Sequence, residues 1–184
     1  MPEDDRRRRF ETVALPWLDA AYNLARWLTR NPDDAEDVVQ EAYLRAFLYF
    51  DGFKGGDARP WLLAIVRHTA FTWLRKRGLV LDPGLGEEIA DDRDGIAGDC
   101  EPIGNPETLL MREATRERMQ AALEALPCEF REVLVLRELE ELSYKEIAAV
   151  VDIPMGTVMS RLARGRKLLR ASLLAAEGAE HGMQ

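Results

Sequence analysis

The residues between Ser143 and Leu162 have the spacing of a helix-turn-helix, a common way for a protein to read duplex DNA. Ser143 stands three residues before Glu146, the spacing of a capping box, in which a hydroxyl and a carboxylate satisfy free backbone amides at a helix start. Pro154 ends this helix but suits the first turn of another, because proline has no amide donor. The sequence therefore predicts a short helix, a tight turn and a second helix.

The second predicted helix, from Thr157 to Ser172, combines positive charge with an apolar side formed by Val158, Leu162, Leu168 and Leu169. It contains no acidic residue, and its basic residues are Arg161, Arg164, Arg166, Lys167 and Arg170. Basic amphipathic helices are often only solvated surfaces. The tight turn before this one favours DNA binding instead.

Charge is distributed unevenly along the 184 residues, whose net charge is −8. Nine acidic residues and one basic residue lie between Gly78 and Leu110, so this segment accounts for the whole net charge. The remainder is neutral and includes a second basic strip, formed by Arg59, Arg67, Arg75, Lys76 and Arg77. Two positive surfaces therefore flank a negative segment, so the acidic average does not exclude nucleic acid as a partner.

The acidic segment also marks a domain boundary. Residues 78–105 are rich in Gly, Pro and Asp and have no apolar periodicity long enough for a helix, so they are predicted to be extended or disordered. We expect an all-α protein with two small helical domains, 10–77 and 108–174, joined by a flexible acidic linker over 78–107. We find no signal peptide and no run of about 18 apolar residues, so we expect a cytoplasmic protein with no membrane insertion of its own.

The first domain is predicted to begin with two amphipathic helices. Apolar residues with a period near 3.6 predict a helix from about Phe10 to Thr29, with Pro16 near its first turns or at a kink. Asn31 is the expected N-cap of a second helix that runs to about Phe50. Its inward residues are expected to be Val38, Ala42 and Phe47, and its outward, mostly acidic face Asp34, Asp37, Gln40, Glu41 and Arg45.

A glycine-rich loop over residues 51–57 leads into a third predicted helix from Arg59 to Arg77. We expect Phe53 and Lys54 to be exposed on the loop, beside a helix that brings Trp61 to the core and ends in basic residues. Aromatic side chains stack on single-stranded bases with about 1–3 kcal/mol per base. The loop and the helix are therefore predicted to hold unstacked bases of single-stranded DNA.

The residues that usually carry catalysis or bind metals are sparse. Cys100 and Cys128 are not a close metal-ligand pair, and His68 and His181 stand far apart in sequence, so we expect no zinc site and no cofactor. The chain also lacks a glycine-rich phosphate loop and a histidine near a candidate nucleophile in sequence. An enzyme is therefore disfavoured.

Four blocks of sequence, taken in order, resemble regions two and four of bacterial extracytoplasmic-function (ECF) sigma factors. They are residues 34–47, 60–67 and 126–134, followed by the helix-turn-helix. The order of all four blocks makes the resemblance more specific than a lone helix-turn-helix. It implies a promoter-specificity subunit of RNA polymerase, and for this family it usually also implies an anti-sigma factor that covers both domains.

The resemblance also implies roles for individual residues. The acidic second helix would bind core RNA polymerase through Asp34, Asp37, Gln40, Glu41 and Arg45. The loop and third helix would hold the minus-ten element of promoter DNA through Phe53, Lys54, Arg59, Trp61, Arg67, His68 and Arg75. The helix-turn-helix would read the minus-thirty-five element through Ser143, Tyr144, Thr157, Met159, Ser160, Arg161, Arg164 and Lys167.

The sequence departs from the family pattern at a few of these positions. Met159 stands where a Lys or Arg is common, Ala163 where a larger side chain is frequent, and His68 where Asn is frequent. The acidic linker is a further feature. In the family this linker threads toward channels of the polymerase that bind a polyanion, and we hypothesise that residues 82–107 mimic nucleic acid there.

A second class of protein remains open. The helix-turn-helix, with residues 131–134 before it, also resembles LuxR-type DNA-binding domains. That alternative predicts a transcriptional regulator that binds DNA without being a polymerase subunit. It leaves residues 34–47 and the helix around Trp61 unexplained.

Overall fold

The computed structural model describes residues 3–79 and 106–181, and the regular elements in these ranges are helices. The first domain consists of α1 (Glu3–Ala14), α2 (Leu18–Thr29), α3 (Pro32–Leu48) and α4 (Ala58–Lys76). The second consists of α5 (Pro106–Ala125), α6 (Cys128–Leu134), α7 (Tyr144–Val151) and α8 (Met155–His181). The predicted all-α fold is confirmed, whereas the prediction of an extended linker falls on residues 80–105, outside the described ranges.

The first predicted helix is in fact two helices. A 3₁₀ turn over Leu15–Trp17 separates α1 from α2, and Pro16 lies in this turn. Proline removes a helix hydrogen bond, and its ring collides with the carbonyl four residues earlier, so the backbone tightens here. The predicted end at Thr29 and the predicted kink at Pro16 are confirmed, whereas the predicted start at Phe10 is wrong, because the first helix begins at Glu3.

Aromatic contacts attach α1 to the rest of the first domain. The Phe10 ring packs edge-on against Phe47 and Phe50, with centroids 5.3 Å apart in both pairs. The Tyr43 hydroxyl donates a 2.9 Å hydrogen bond to the carbonyl of Ala14. Burial raises the pKa of Tyr43 from 10.0 to about 12, so the hydroxyl keeps its proton and remains a donor in alkaline solution as well as at neutral pH. The end of α1 is therefore fixed to α3.

Side-chain caps set where α3 and α4 begin. The Asn31 side chain accepts hydrogen bonds from the amides of Asp33 and Asp34 at 2.9 and 3.1 Å, which confirms the predicted N-cap. Asp57 does the same for α4 by accepting from the amide of Arg59 at 2.9 Å. The helices α2, α3 and α4 then pack against one another around buried apolar side chains, among them Leu24, Val38, Leu63 and Val66.

The second domain contains the predicted helix-turn-helix. The capping box is confirmed: Glu146 Oε2 accepts from the amide of Ser143 at 2.7 Å, and Ser143 Oγ accepts from the amide of Glu146 at 3.3 Å. Asp152 ends α7 in the left-handed conformation, with φ at 58°. The next helix, α8, begins at Met155 and extends past the predicted end at Ser172. Its Val158 and Leu162 are buried.

The two domains share one apolar core. A single cluster of buried side chains contains Leu24 and Val66 from the first domain and Val133, Ile147 and Leu162 from the second. The helices that meet across the boundary are α2 and α4 on one side and α6 and α7 on the other. A π-helical turn over Val135–Leu139 continues α6 and lies against α2. The domains are separate in sequence but packed together in this arrangement.

The crossing of α6 and α8 depends on Gly165. A Cβ at this position would lie 3.0 Å from Leu134 Cδ1 and 3.4 Å from Phe130 Cβ, whereas a Cβ at Gly156 of the same helix meets nothing within 4 Å. We expect Gly165→Val to lower the free energy of unfolding by about 1–3 kcal/mol, because the added methyl groups overpack the crossing. Gly156→Val is the matched control and is expected to stay within about 0.5 kcal/mol. Urea unfolding measures both, and equal losses would contradict a tight crossing.

Candidate nucleic-acid interface

The helix-turn-helix presents the first part of α8 to solvent. Of the predicted minus-thirty-five residues, Ser143, Met159, Ser160 and Lys167 are exposed, whereas Tyr144, Thr157, Arg161 and Arg164 are half-buried. Ser143 is engaged in the capping box, and the Arg137 guanidinium lies 5.0 Å from the centroid of the Tyr144 ring. The exposed members therefore belong mainly to α8.

The predicted minus-ten residues of α4 divide between two faces. Trp61, His68 and Arg75 follow one another at seven-residue spacing, which places them on one side of a helix. His68 and Arg75 are exposed there, as is Lys54 on the loop before the helix. Arg59 and Arg67 contact the second domain instead. His68, Arg75 and Lys54 are therefore accessible to a ligand in this arrangement, whereas Arg59 and Arg67 are occupied by contacts with the second domain.

The aromatic side chains at the start of α4 pack on one another. The Phe53 ring lies 4.9 Å from Trp61 and 6.2 Å from Phe50, measured between centroids, and both Phe53 and Trp61 are half-buried. The prediction that Phe53 is exposed is therefore wrong. Contacts with the rings of Trp61 and Phe50 cover Phe53 when no base is bound. Lys54 is exposed, as predicted.

A buried carboxylate joins the two domains. Glu132 on α6 is 1% exposed, and its two oxygens accept from Arg67 Nε at 2.6 Å and from Arg67 Nη2 at 3.1 Å. Arg161 of α8 reaches the same carboxylate, with Nη1 3.6 Å from Oε1. Glu132 thus holds one arginine predicted for the minus-ten element and one predicted for the minus-thirty-five element.

Burial and the two arginines act on Glu132 in opposite directions. Burial is the larger influence and raises the pKa of Glu132 above its ordinary value, while the hydrogen bonds and positive charge of Arg67 and the charge of Arg161 lower it. The carboxylate therefore depends on its arginines to offset the loss of water. Removal of either partner would leave a poorly compensated charge inside the protein.

A second contact across the domain boundary is centred on Glu140, just after the π-helical turn. Its backbone carbonyl accepts from Arg59 Nη1 at 2.9 Å, and its carboxylate accepts from Asn23 Nδ2 of α2 at 3.3 Å. The Arg59 guanidinium also lies 5.3 Å from the centroid of the Trp17 ring. Arg59 therefore contacts its own domain through Trp17 and the second domain through Glu140.

The outward face of α3 differs in one residue from the prediction. Asp37 and Gln40 are exposed, and Glu41 and Arg45 are half-buried and form an ion pair with each other. Asp34 is 8% exposed, and its carboxylate pairs with Arg77 at 2.8 Å. The expectation that Asp34 points outward is wrong, because its position in the first turn places it beside the end of α4.

Sequence reasoning missed several residues that shape these surfaces. Leu44 and Leu48 are 67% and 68% exposed, and they continue the stripe of Asp37 and Gln40 along α3. Their spacing of four residues from Gln40 onward would have revealed this face. Glu132 gave a weaker signal, as an acid directly before the apolar run 133–136, and nothing in the sequence indicates its partners.

Two family models match the chain: Sigma-70 region 2 over residues 14–79 and Sigma-70, region 4 over residues 116–169. The ECF RNA polymerase sigma-E factor of Escherichia coli (strain K12) is 38% identical over 137 residues, which cover 74% of this chain and 72% of that protein. The chain belongs to the ECF sigma-factor family. The match to region 2 accounts for the residues that a LuxR-like regulator would leave unexplained.

Further comparisons include another relative and two solved structures. The ECF RNA polymerase sigma factor SigE of Mycolicibacterium smegmatis is 37% identical over 152 residues, which cover 83% of this chain but 56% of that protein. The fold is similar to that of the sigma factor RpoE from Bartonella quintana, solved with the anti-sigma factor NepR, with a TM-score of 0.66, 27% identity and coverage of 90% and 97% of the two chains. CnrH, solved with the cytosolic domain of CnrY, shares the fold with a TM-score of 0.63.

Among the described residues of this ECF chain, no helix is both long and apolar enough to cross a membrane.

The contact between Arg67 and Glu132 can be tested by removing the charge of the carboxylate. We expect Glu132→Gln to lower the free energy of unfolding by about 1–3 kcal/mol, because a buried hydrogen-bonded ion is lost while Arg67 stays partly buried. The same substitution should increase the radius of gyration, since it weakens the domain contact.

The matched control is Glu138→Gln, which breaks the exposed pair of Glu138 and Arg166 within the second domain. We expect it to cost less than about 1 kcal/mol and to leave the radius of gyration unchanged. Chemical unfolding and small-angle scattering of the full chain measure both variants. A Glu132→Gln variant as stable and as compact as the control would contradict the importance of this carboxylate.

Proposed function

We propose that this ECF sigma factor binds core RNA polymerase, directs promoter-specific initiation in the cytoplasm and is controlled by an anti-sigma factor. The observation that carries the proposal is the order of matches along one chain, with sigma region 2 before sigma region 4. The likeness to RpoE, solved with the anti-sigma factor NepR, supports control by such a partner. The helix-turn-helix and the outward faces of α3 and α4 supply surfaces for polymerase and DNA.

The first experiment is transcription by core polymerase with and without this protein. The templates are a library of DNA with randomised promoter elements, so no promoter sequence has to be known beforehand. We expect transcripts that start at defined sites only when the protein is present. Binding to specific duplexes that is independent of core polymerase, with no transcript from any template, would contradict the proposal and favour a regulator.

We assign core-polymerase binding to the outward stripe of α3. Asp37 and Gln40 are exposed there, and Leu44 and Leu48 extend the same stripe with apolar surface. A charged rim beside exposed apolar side chains is typical of a protein interface. The half-buried pair of Glu41 and Arg45 borders the stripe. Asp34 is not part of this assignment, because it is 8% exposed and paired with Arg77.

Promoter binding through Arg59, Arg67 and Arg161 requires them to leave their partners, which loosens the contact between the two domains. Arg67 and Arg161 are held by Glu132, and Arg59 is held by the carbonyl of Glu140. A guanidinium that is bound in this way has fewer N–H donors left for a phosphate or a base edge. The described arrangement is therefore a DNA-free form, and an anti-sigma factor that keeps the domains together would keep these arginines engaged.

Reversal of charge on α3 tests the assigned polymerase surface. We expect Asp37→Arg combined with Glu41→Arg to weaken binding to core polymerase about tenfold or more, because like charges would face each other in the complex. The charge-matched control combines Glu117→Arg with Glu129→Arg, at two exposed positions on other helices. Fluorescence anisotropy of the labelled full chain with core enzyme measures the affinities. Equal affinities of the two double variants for core polymerase would contradict the assignment of this surface to polymerase binding.

A further inference from the structure

The first two turns of α8 expose apolar rather than charged side chains. Residues 155–162 contain a single charged residue, Arg161, and its guanidinium faces Glu132. Met155 and Met159 are each 52% exposed, and they are one helical turn apart. Gly156 and Ser160 are exposed beside them. The part of the helix that leads the helix-turn-helix into a groove therefore carries two methionines at its surface.

These methionines are not needed to build the domain. The buried core takes Val158 and Leu162 from the same two turns, and these are 0% and 1% exposed. The exposed apolar surface of Met155 and Met159 gains nothing from water, so contact with an apolar group on a partner would be favourable. Methionine is unbranched and polarizable, which lets it adapt to the shape of such a group.

In the major groove of DNA, the apolar group on a base edge is the 5-methyl group of thymine. The N-terminal residues of a recognition helix are those that reach base edges. Four helical residues rise by about 6 Å, and stacked base pairs are about 3.4 Å apart. Met155 and Met159 can therefore reach positions about two base steps apart. Gly156, which has open space at its Cβ position, lets the helix approach closely.

We propose that Met155 and Met159 recognise thymines of the upstream promoter element through their 5-methyl groups. The inference rests on the proposed function, because it assigns a base preference to the helix that is proposed to read that element. Positive charge farther along α8, at Lys167 and Arg170, contacts phosphates and positions the helix. Selection of thymine then comes from apolar contact.

The test uses deoxyuridine, which differs from thymidine only by lacking the 5-methyl group. Upstream elements are first selected from a randomised library with the wild-type holoenzyme, and each thymine is then replaced singly by deoxyuridine. We expect binding of the wild-type holoenzyme to weaken about fourfold at each thymine that a methionine contacts. This part of the test does not depend on the folding of any variant.

Alanine variants connect the lost methyl groups to the two side chains. We expect Met159→Ala to bind thymine and deoxyuridine duplexes equally at one position, and Met155→Ala to do so at another. Met119→Ala is the matched control, because Met119 is exposed on α5 and lies outside the helix-turn-helix. It should keep the full preference for thymine. Thermal unfolding of each variant confirms that the fold is retained.

The outcomes separate this inference from the proposed function. If the holoenzyme transcribes from selected elements but tolerates deoxyuridine within about twofold at every position, methyl recognition is wrong and the function stands. Selection of upstream elements that contain no thymine would overturn methyl recognition as well. If no element supports transcription, the proposed function itself fails. A preference that persists in both methionine variants would assign the methyl contact to another residue and overturn the proposal.

Discussion

The packing of the two domains against each other depends on a carboxylate that would be unstable inside the protein without its arginines. Glu132 is almost completely buried, and the cost of removing its charge from water is offset by Arg67 on α4 and Arg161 on α8. The apolar core supplies most of the driving force for packing the domains. Apolar contacts are not directional, however, and the bidentate pair of Glu132 and Arg67 fixes the position of α6 relative to α4.

The local features of the fold could be predicted because their causes lie close together in sequence. The Asn31 cap, the capping box of Ser143 and Glu146, and the break near Pro154 each depend on residues within four positions of one another. The same reasoning failed where a distant partner decides the outcome. Asp34 is buried because Arg77 comes to it from the end of α4, and Phe53 is covered because Trp61 and Phe50 lie beside it.

The candidate site shows the same division. Residue types and spacing indicated which helices present charge, and α8 and the exposed face of α4 agree with that reading. Helical periodicity could not show that Arg59 and Arg67 face the second domain, because either side of α4 could have been covered. The contact partners, Glu132 and Glu140, lie more than 60 residues away in sequence. Only the tertiary arrangement brings them to α4.

The sharing of one carboxylate by two arginines has a consequence for how this protein can evolve. A substitution at Arg67 or Arg161 that altered promoter preference would also loosen the resting form, since the same guanidinium serves both purposes. Changes of specificity at these positions would therefore raise background activity unless a compensating contact arose elsewhere. Exposed positions on α8 that take no part in the contact with Glu132, such as Met159, are free of this trade-off and are better places to evolve a new regulon.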